Sequence, residues 1–152
     1  MIRGSSKTKL DAKTRLLLGA RLTEGIGNKV IIVKGNGPYL NIFPIAEFKK
    51  LEKRIEALTD LETEQGFKLF FDNKFQSFLA NFYSNQAEAE IDEQSRITIP
   101  GFLRDEVDLS GDLIVRSTGR YLQVWKQVTF YQRQGSDAEL DTTAIIGNLS
   151  LV

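Results

Sequence analysis

Cysteine and histidine are both absent from the 152 residues. The first absence excludes disulfides, thiolate nucleophiles and cysteine metal sites, and the second removes the commonest general base and transition-metal ligand. An enzyme is therefore disfavoured, and no metal or cofactor is expected. Long apolar runs are missing as well. Residues 1–9 are basic but have no hydrophobic segment behind them, and no stretch approaches the roughly 20 apolar residues of a membrane span. A cytoplasmic protein is expected. Net charge is zero and the pI is about 6.3, which looks unpromising for a nucleic-acid partner.

What is present is a repeat. Ile91-Asp92-Glu93-Gln94-Ser95-Arg96-Ile97-Thr98-Ile99-Pro100 has a weaker echo in Leu10-Asp11-Ala12-Lys13-Thr14-Arg15-Leu16-Leu17-Leu18-Gly19, with both Asp and Arg displaced by 81 positions. Leu22 falls on Leu103 at the same offset. After one added residue, Gly37-Pro38-Tyr39-Leu40-Asn41-Ile42-Phe43 falls on Gly119-Arg120-Tyr121-Leu122-Gln123-Val124-Trp125, and Phe48 falls on Phe130. Two homologous units of about fifty residues therefore make up most of the chain. With 41% hydrophobic residues, the chain is about the size of one ordinary domain, so two packed half-domains are expected.

The balanced charge is an average over two unlike halves. Residues 1–21 hold Arg3, Lys7, Lys9, Lys13, Arg15 and Arg21 against Asp11 alone, a net of +5. The equal-length window 86–106 holds Arg96 and Arg104 against six carboxylates, a net of −4. The repeats have diverged electrostatically.

In chain order, Lys7 to Leu10 and Arg15 to Leu18 read as strands joined by a turn, whose Asp11 can accept backbone N–H groups two residues on. A short helix or turn covers 19–24. Gly25-Ile26-Gly27 lacks the third glycine of a dinucleotide loop and is a poor phosphate cradle. Val30-Ile31-Ile32-Val33, the turn Gly35-Asn36-Gly37-Pro38 and Tyr39 to Phe43 predict a hairpin. From Pro44, apolar residues at Ile45, Phe48, Leu51, Ile55 and Leu58 predict an amphipathic helix.

A second helix is predicted over about 61–83, with Phe67, Phe71, Phe75, Phe78 and Phe82 on one stripe. Those phenylalanines either seat the helix on its own core or join neighbouring subunits. The second unit repeats the order: strand Glu88 to Ile91, motif, strand Ile97 to Ile99, short helix, hairpin 113–125 and helix 127–134. The units are thus residues 1–59 and 86–134, with a Phe-rich connector at 60–85. A tail, 135–152, is acidic and then apolar; it is read as disordered or as a strand that adds to an exposed edge.

Asp-x-x-x-Arg at the turn of a short hairpin unit, given twice, resembles the MraZ family of bacterial transcriptional regulators, built from two swapped-hairpin units of the AbrB type. Residues 1–134 carry the resemblance, best at Glu90-Ile91-Asp92 through Arg96, Ile99-Pro100, Leu103-Arg104 and 121–125. The family's usual glycine before the arginine is Thr14 and Ser95 here, and its usual proline after the strand is Gly19 in the first copy. The resemblance implies an α+β fold of two tandem swapped-hairpin units around a pseudo-two-fold β-barrel core, with helices after each unit. It also implies a ring-shaped homo-oligomer acting as a double-stranded DNA-binding repressor of the division and cell-wall gene cluster. Such a repressor is nucleoid-associated and reads short direct repeats upstream of its own operon.

The resemblance places the motif arginines, Arg15 and Arg96, against DNA. Lys7, Lys9 and Lys13 are read as phosphate contacts beside the Asp11–Arg15 turn, with Arg15 entering a groove. The acidic second copy reads first as a turn-stabilising ion pair between Asp92 and Arg96. Glu88, Glu90 and Asp92 read as a solvated edge rather than a hard-cation site. The alternative is a ring-forming scaffold without DNA binding.

Overall fold

Strand alternation and helix periodicity distribute the apolar residues over the two faces of one sheet. The computed structural model describes residues 1–136. The chain runs β1 (Ser5–Lys9), β2 (Arg15–Leu17), α1 (Ala20–Thr23), β3 (Lys29–Lys34), β4 (Tyr39–Pro44), α2 (Ile45–Leu58), α3 (Glu64–Phe70) and α4 (Asn73–Ser84). It continues through β5 (Gln86–Glu90), β6 (Arg96–Thr98), α5 (Gly101–Glu106), β7 (Asp112–Ser117), β8 (Leu122–Lys126) and α6 (Gln127–Ser136). Residues 135 and 136 of the expected tail therefore end a helix, and the reading of the rest falls outside the described residues.

The α+β class is as expected. Six strands form one antiparallel sheet in the order β1-β7-β8-β4-β3-β5, and β2 pairs with β6 in a separate two-stranded ribbon. The first strand of each unit lies on the other unit's hairpin, β1 on β7 and β5 on β3. The expected barrel is not closed. β2 and β6 are three residues long, and the link from β1 to β2 is a single bridge between Leu10 and Leu16, so the ribbon caps the sheet instead of completing a cylinder.

Equivalent residues face each other at two places, Leu16 opposite Ile97 in the ribbon and Asn41 opposite Gln123 where β4 meets β8. A pseudo-two-fold axis passes through both pairs. The register also corrects the alignment of the repeats. Val30, Ile31 and Ile32 match Leu113, Ile114 and Val115 at an offset of 83, while the following strands match at 82. The one added residue is thus two inserted before β7 and one fewer in the second hairpin turn.

One face of the sheet carries Val30, Ile32, Leu40, Ile42, Leu113, Val115, Leu122 and Val124, packed against Leu16, Leu18, Leu22, Ile97, Ile99 and Leu103 from the ribbon, α1 and α5. The other face is covered by helices. Phe48 and Ile55 of α2 and Phe82 of α4 pack on Val33 and Phe43. Phe130 of α6 packs on Ile114 and Trp125.

The single helix expected over 61–83 is two. Thr63 caps α3 by accepting from the Gly66 N–H at 2.9 Å, and Asp72 starts α4 by accepting from the Phe75 N–H at 3.0 Å, so a side-chain cap competes with helix continuation at each start. Phe71 falls in the break between the two helices. The five phenylalanines consequently do not share one stripe. Phe82 is buried and Phe78 packs against its cluster, whereas Phe67 and Phe71 are 57% and 68% exposed. No helix among the described residues is long and apolar enough to cross a membrane.

Candidate nucleic-acid interface

The two motif turns are the same object built twice. Asp11 Oδ1 accepts from the backbone N–H of Lys13 and of Arg15, both at 2.9 Å, and Oδ2 accepts from Arg15 Nε at 2.8 Å. Asp92 Oδ1 accepts from the N–H of Gln94 and of Arg96 at 2.9 Å, and its Oδ2 from Arg96 Nε at 2.8 Å. A short carboxylate four residues before a long guanidinium suits this closure, because Asp reaches the backbone while Arg bends back to it. The Arg15 N–H is the largest cause holding the Asp11 carboxyl below its ordinary value, with the guanidinium adding to it. At Asp92 partial desolvation pushes upward, but the Arg96 N–H, the Arg96 guanidinium and the Gln94 N–H together keep the carboxyl low.

Thr14 and Ser95 stand in these turns where the resemblance calls for glycine. Both adopt left-handed backbone, with φ of 60° and 61°. That conformation costs a non-glycine residue about 1–2 kcal/mol, which the bonds to the aspartate offset. Gly19, where the second copy has Pro100, takes φ 82° and ψ 150°, a conformation closed to proline, so the two copies leave their strands differently although their turns match.

Antiparallel pairing then places the arginines. Arg15 is opposite Thr98, Leu16 opposite Ile97, and Leu17 opposite Arg96. Leu16 and Ile97 point into the core, so alternation puts Arg15, Leu17, Arg96 and Thr98 together on the outward face. The arginines are two positions apart along the ribbon, roughly 7 Å. Each keeps a quarter or more of its side chain exposed, 29% for Arg15 and 25% for Arg96, with only Nε engaged by the carboxylate. The ribbon is further tied by Leu18 N–H donating to the Ser95 carbonyl at 2.9 Å and by the Thr23 and Ser95 hydroxyls at 3.1 Å.

Of the residues singled out in the sequence, the structure gathers Asp11, Lys13, Arg15, Asp92 and Arg96 on this ribbon and its turns. It separates Lys7 and Lys9 from the ribbon face. On β1 the alternate residues Ser6 and Thr8 lie opposite Val115 and Leu113 on the core side, so Lys7 and Lys9 face the α6 side. There Lys7 Nζ is 5.7 Å from the centroid of the Tyr131 ring, and Lys9 Nζ is 3.3 Å from Asp112. Glu88 and Glu90 stand at the equivalent β5 positions, Glu88 3.9 Å from Lys29. Leu17 and Thr98 complete the outward face and were not singled out in the sequence. Their signal was the three-residue β-prone run after each motif, but its partner was not readable.

A family model described as MraZ protein matches residues 1–70 and 82–148. A protein named Transcriptional regulator MraZ from Desulfitobacterium hafniense is 29% identical over 153 residues, covering 99% of this chain and all of the relative. Proteins of the same name from Carboxydothermus hydrogenoformans and Heliobacterium modesticaldum are each 31% identical over 127 residues, 84% of this chain and 82% of the relative. With two Asp-x-x-x-Arg turns on one pseudo-symmetric ribbon and a match over nearly its whole length, the chain belongs to the MraZ family.

Proposed function

We propose that the protein is a sequence-specific double-stranded DNA-binding transcriptional repressor, and that the outward face of the β2–β6 ribbon meets the DNA. The observation that carries this reading is the pair of guanidinium groups presented side by side by two identically braced turns. A two-stranded ribbon fits a major groove about 12 Å wide, and an arginine with free outer N–H groups matches the two acceptors of guanine. The names of the related proteins support a regulator of transcription. In this reading residues 1–59 and 86–134 are swapped-hairpin halves of one DNA-facing body, and the targets are short direct repeats upstream of the protein's own division and cell-wall operon, on the nucleoid.

The test is binding of a fluorescent duplex from upstream of this gene against a shuffled duplex, between about 50 and 200 mM salt. The upstream duplex should bind roughly a thousandfold more tightly at the higher salt. Equal affinity for both duplexes would leave only non-specific attraction and sink the repressor reading.

Assembly into a ring rests on a second observation. Phe67, Phe70 and Phe71 cluster with ring centroids 5.1 to 5.4 Å apart at the α3–α4 corner, all more than half exposed. Contiguous exposed aromatics of this kind mark association surfaces. By light scattering the protein should have the mass of several chains, and Phe67→Glu with Phe71→Glu should reduce that mass while circular dichroism stays unchanged. A single-chain mass at micromolar concentration, unaltered by dilution, would end the ring proposal. The same patch is what favours the alternative, a scaffold without DNA binding, which the duplex experiment separates from the repressor.

A further inference from the structure

The helix-covered side of the sheet holds a cleft of about 460 Å³ between α2, α4 and the two hairpins. Its rim is cationic. Lys50 and Arg54 project into it from α2, Lys34 from the end of β3 and Arg120 from the second hairpin turn. The spacing of Glu47, Lys50, Leu51 and Arg54 keeps them on one helix face. Among the described lining residues Glu47 is the one carboxylate, and it is already taken, accepting from Lys50 Nζ at 3.1 Å and Arg120 Nη1 at 3.3 Å. Among the described residues the side chains of Lys34 and Arg54 have neither a hydrogen bond nor an ion pair. An adjoining groove shares Lys34 and Phe78 and adds Lys74, with no carboxylate among its described lining residues.

The interior of the cleft is aromatic. Tyr121 stacks on Phe43 with centroids 4.5 Å apart, and Tyr39 stacks on Trp125 at 4.6 Å. Tyr39 lies so close over Gly35 that a Cβ there would be 2.1 Å from the ring, which explains a glycine whose φ is not positive. In the floor, at the pseudo-two-fold axis, Asn41 Oδ1 is buried without a hydrogen-bond partner. Its equivalent, Gln123 Oε1, accepts from both Arg116 Nε and Trp125 Nε1. The two halves differ at this point: among the described residues the acceptor is satisfied in one and buried without a donor in the other.

An occupant must supply a flat or apolar body for the aromatic walls and negative charge for the cationic rim. We infer that the cleft binds a nucleoside polyphosphate, with its base on the aromatic wall and its phosphates on Lys34, Arg54 and their neighbours. Such a site lies on the opposite side of the sheet from the arginine ribbon and does not depend on the DNA-binding proposal.

Trp125 is the only tryptophan and stacks on a wall residue, so its fluorescence is a local reporter, with titration calorimetry as the second readout. The probes are ADP, adenosine and pyrophosphate, added to the full-length protein without DNA. ADP should bind saturably below about 1 mM, and adenosine and pyrophosphate at least about tenfold more weakly, because each keeps only half of the contacts. Lys34→Ala with Arg54→Ala should abolish ADP binding; among the described residues neither side chain has a hydrogen bond or ion pair to lose, so the fold is spared. Pyrophosphate matching ADP, or unchanged ADP binding in the double variant, would overturn the assignment. The absence of saturable ADP binding to the full-length protein would overturn it too.

Discussion

Arg15→Ala is expected to abolish specific operator binding without changing the protein's mass in solution, while Arg96→Ala weakens it less. A bidentate arginine–guanine contact is worth about 1–3 kcal/mol, and each subunit touching the operator repeats it, so the losses compound. The structure gives both arginines the same brace and the same outward face, and that equality isolates charge as the difference between them. At equivalent turn positions Ala12 and Lys13 become Glu93 and Gln94. In the proposed complex the second turn would therefore bring the Glu93 carboxylate toward phosphates where the first brings the Lys13 ammonium.

Lys13→Ala should weaken binding to specific and shuffled duplexes alike and flatten the salt dependence, since it removes a counterion-releasing phosphate contact and no base readout. The comparison is made by anisotropy, with mass and circular dichroism recorded for each variant. Loss of binding in Arg96→Ala with Arg15→Ala unaffected would show that the first repeat does not carry the DNA face.

Leu16→Ala is expected to destabilise the protein by about 2–5 kcal/mol, a large share of the roughly 5–15 kcal/mol that holds a domain folded. Leu16 has no exposed surface, opposes Ile97 across the pseudo-two-fold axis and packs on the sheet core with Leu18, Leu22 and Leu103. The neighbouring Leu17 is 49% exposed, so Leu17→Ala should change stability by no more than about 0.5 kcal/mol. Urea unfolding followed by Trp125 fluorescence measures both. A loss below about 1 kcal/mol for Leu16→Ala would mean that the ribbon is not integral to the core, and the fixed spacing of the arginines would lose its basis. The pair of neighbours also tests register, because a one-residue slip of β2 would exchange their roles.

Much of the local structure was legible. The repeat, both hairpins and the amphipathic α2 followed from periodicity and turn residues, and the aspartate-closed turns followed from a carboxylate placed two and four residues before its donors. The break at Asp72 was locally encoded too, as a helix cap, but the regular spacing of phenylalanines concealed it. These features depend on contacts within one or two turns of chain, which a sequence displays directly. Pairings across the repeats were different. Whether β1 lies on its own hairpin or on β7, whether β2 meets β6, and whether the ribbon closes a barrel are decided by contacts 79 to 111 residues apart.

The separation of Lys7 and Lys9 from Arg15 is of the second kind. Charge counted along the chain put them together; strand parity put them on different sides of a sheet whose core face was chosen by Val115 and Leu113. By itself the sequence determined the two braced turns and their unequal charge. Only the tertiary structure decided that both arginines emerge on one face, because their relative position is set by a register between strands that have no local contact.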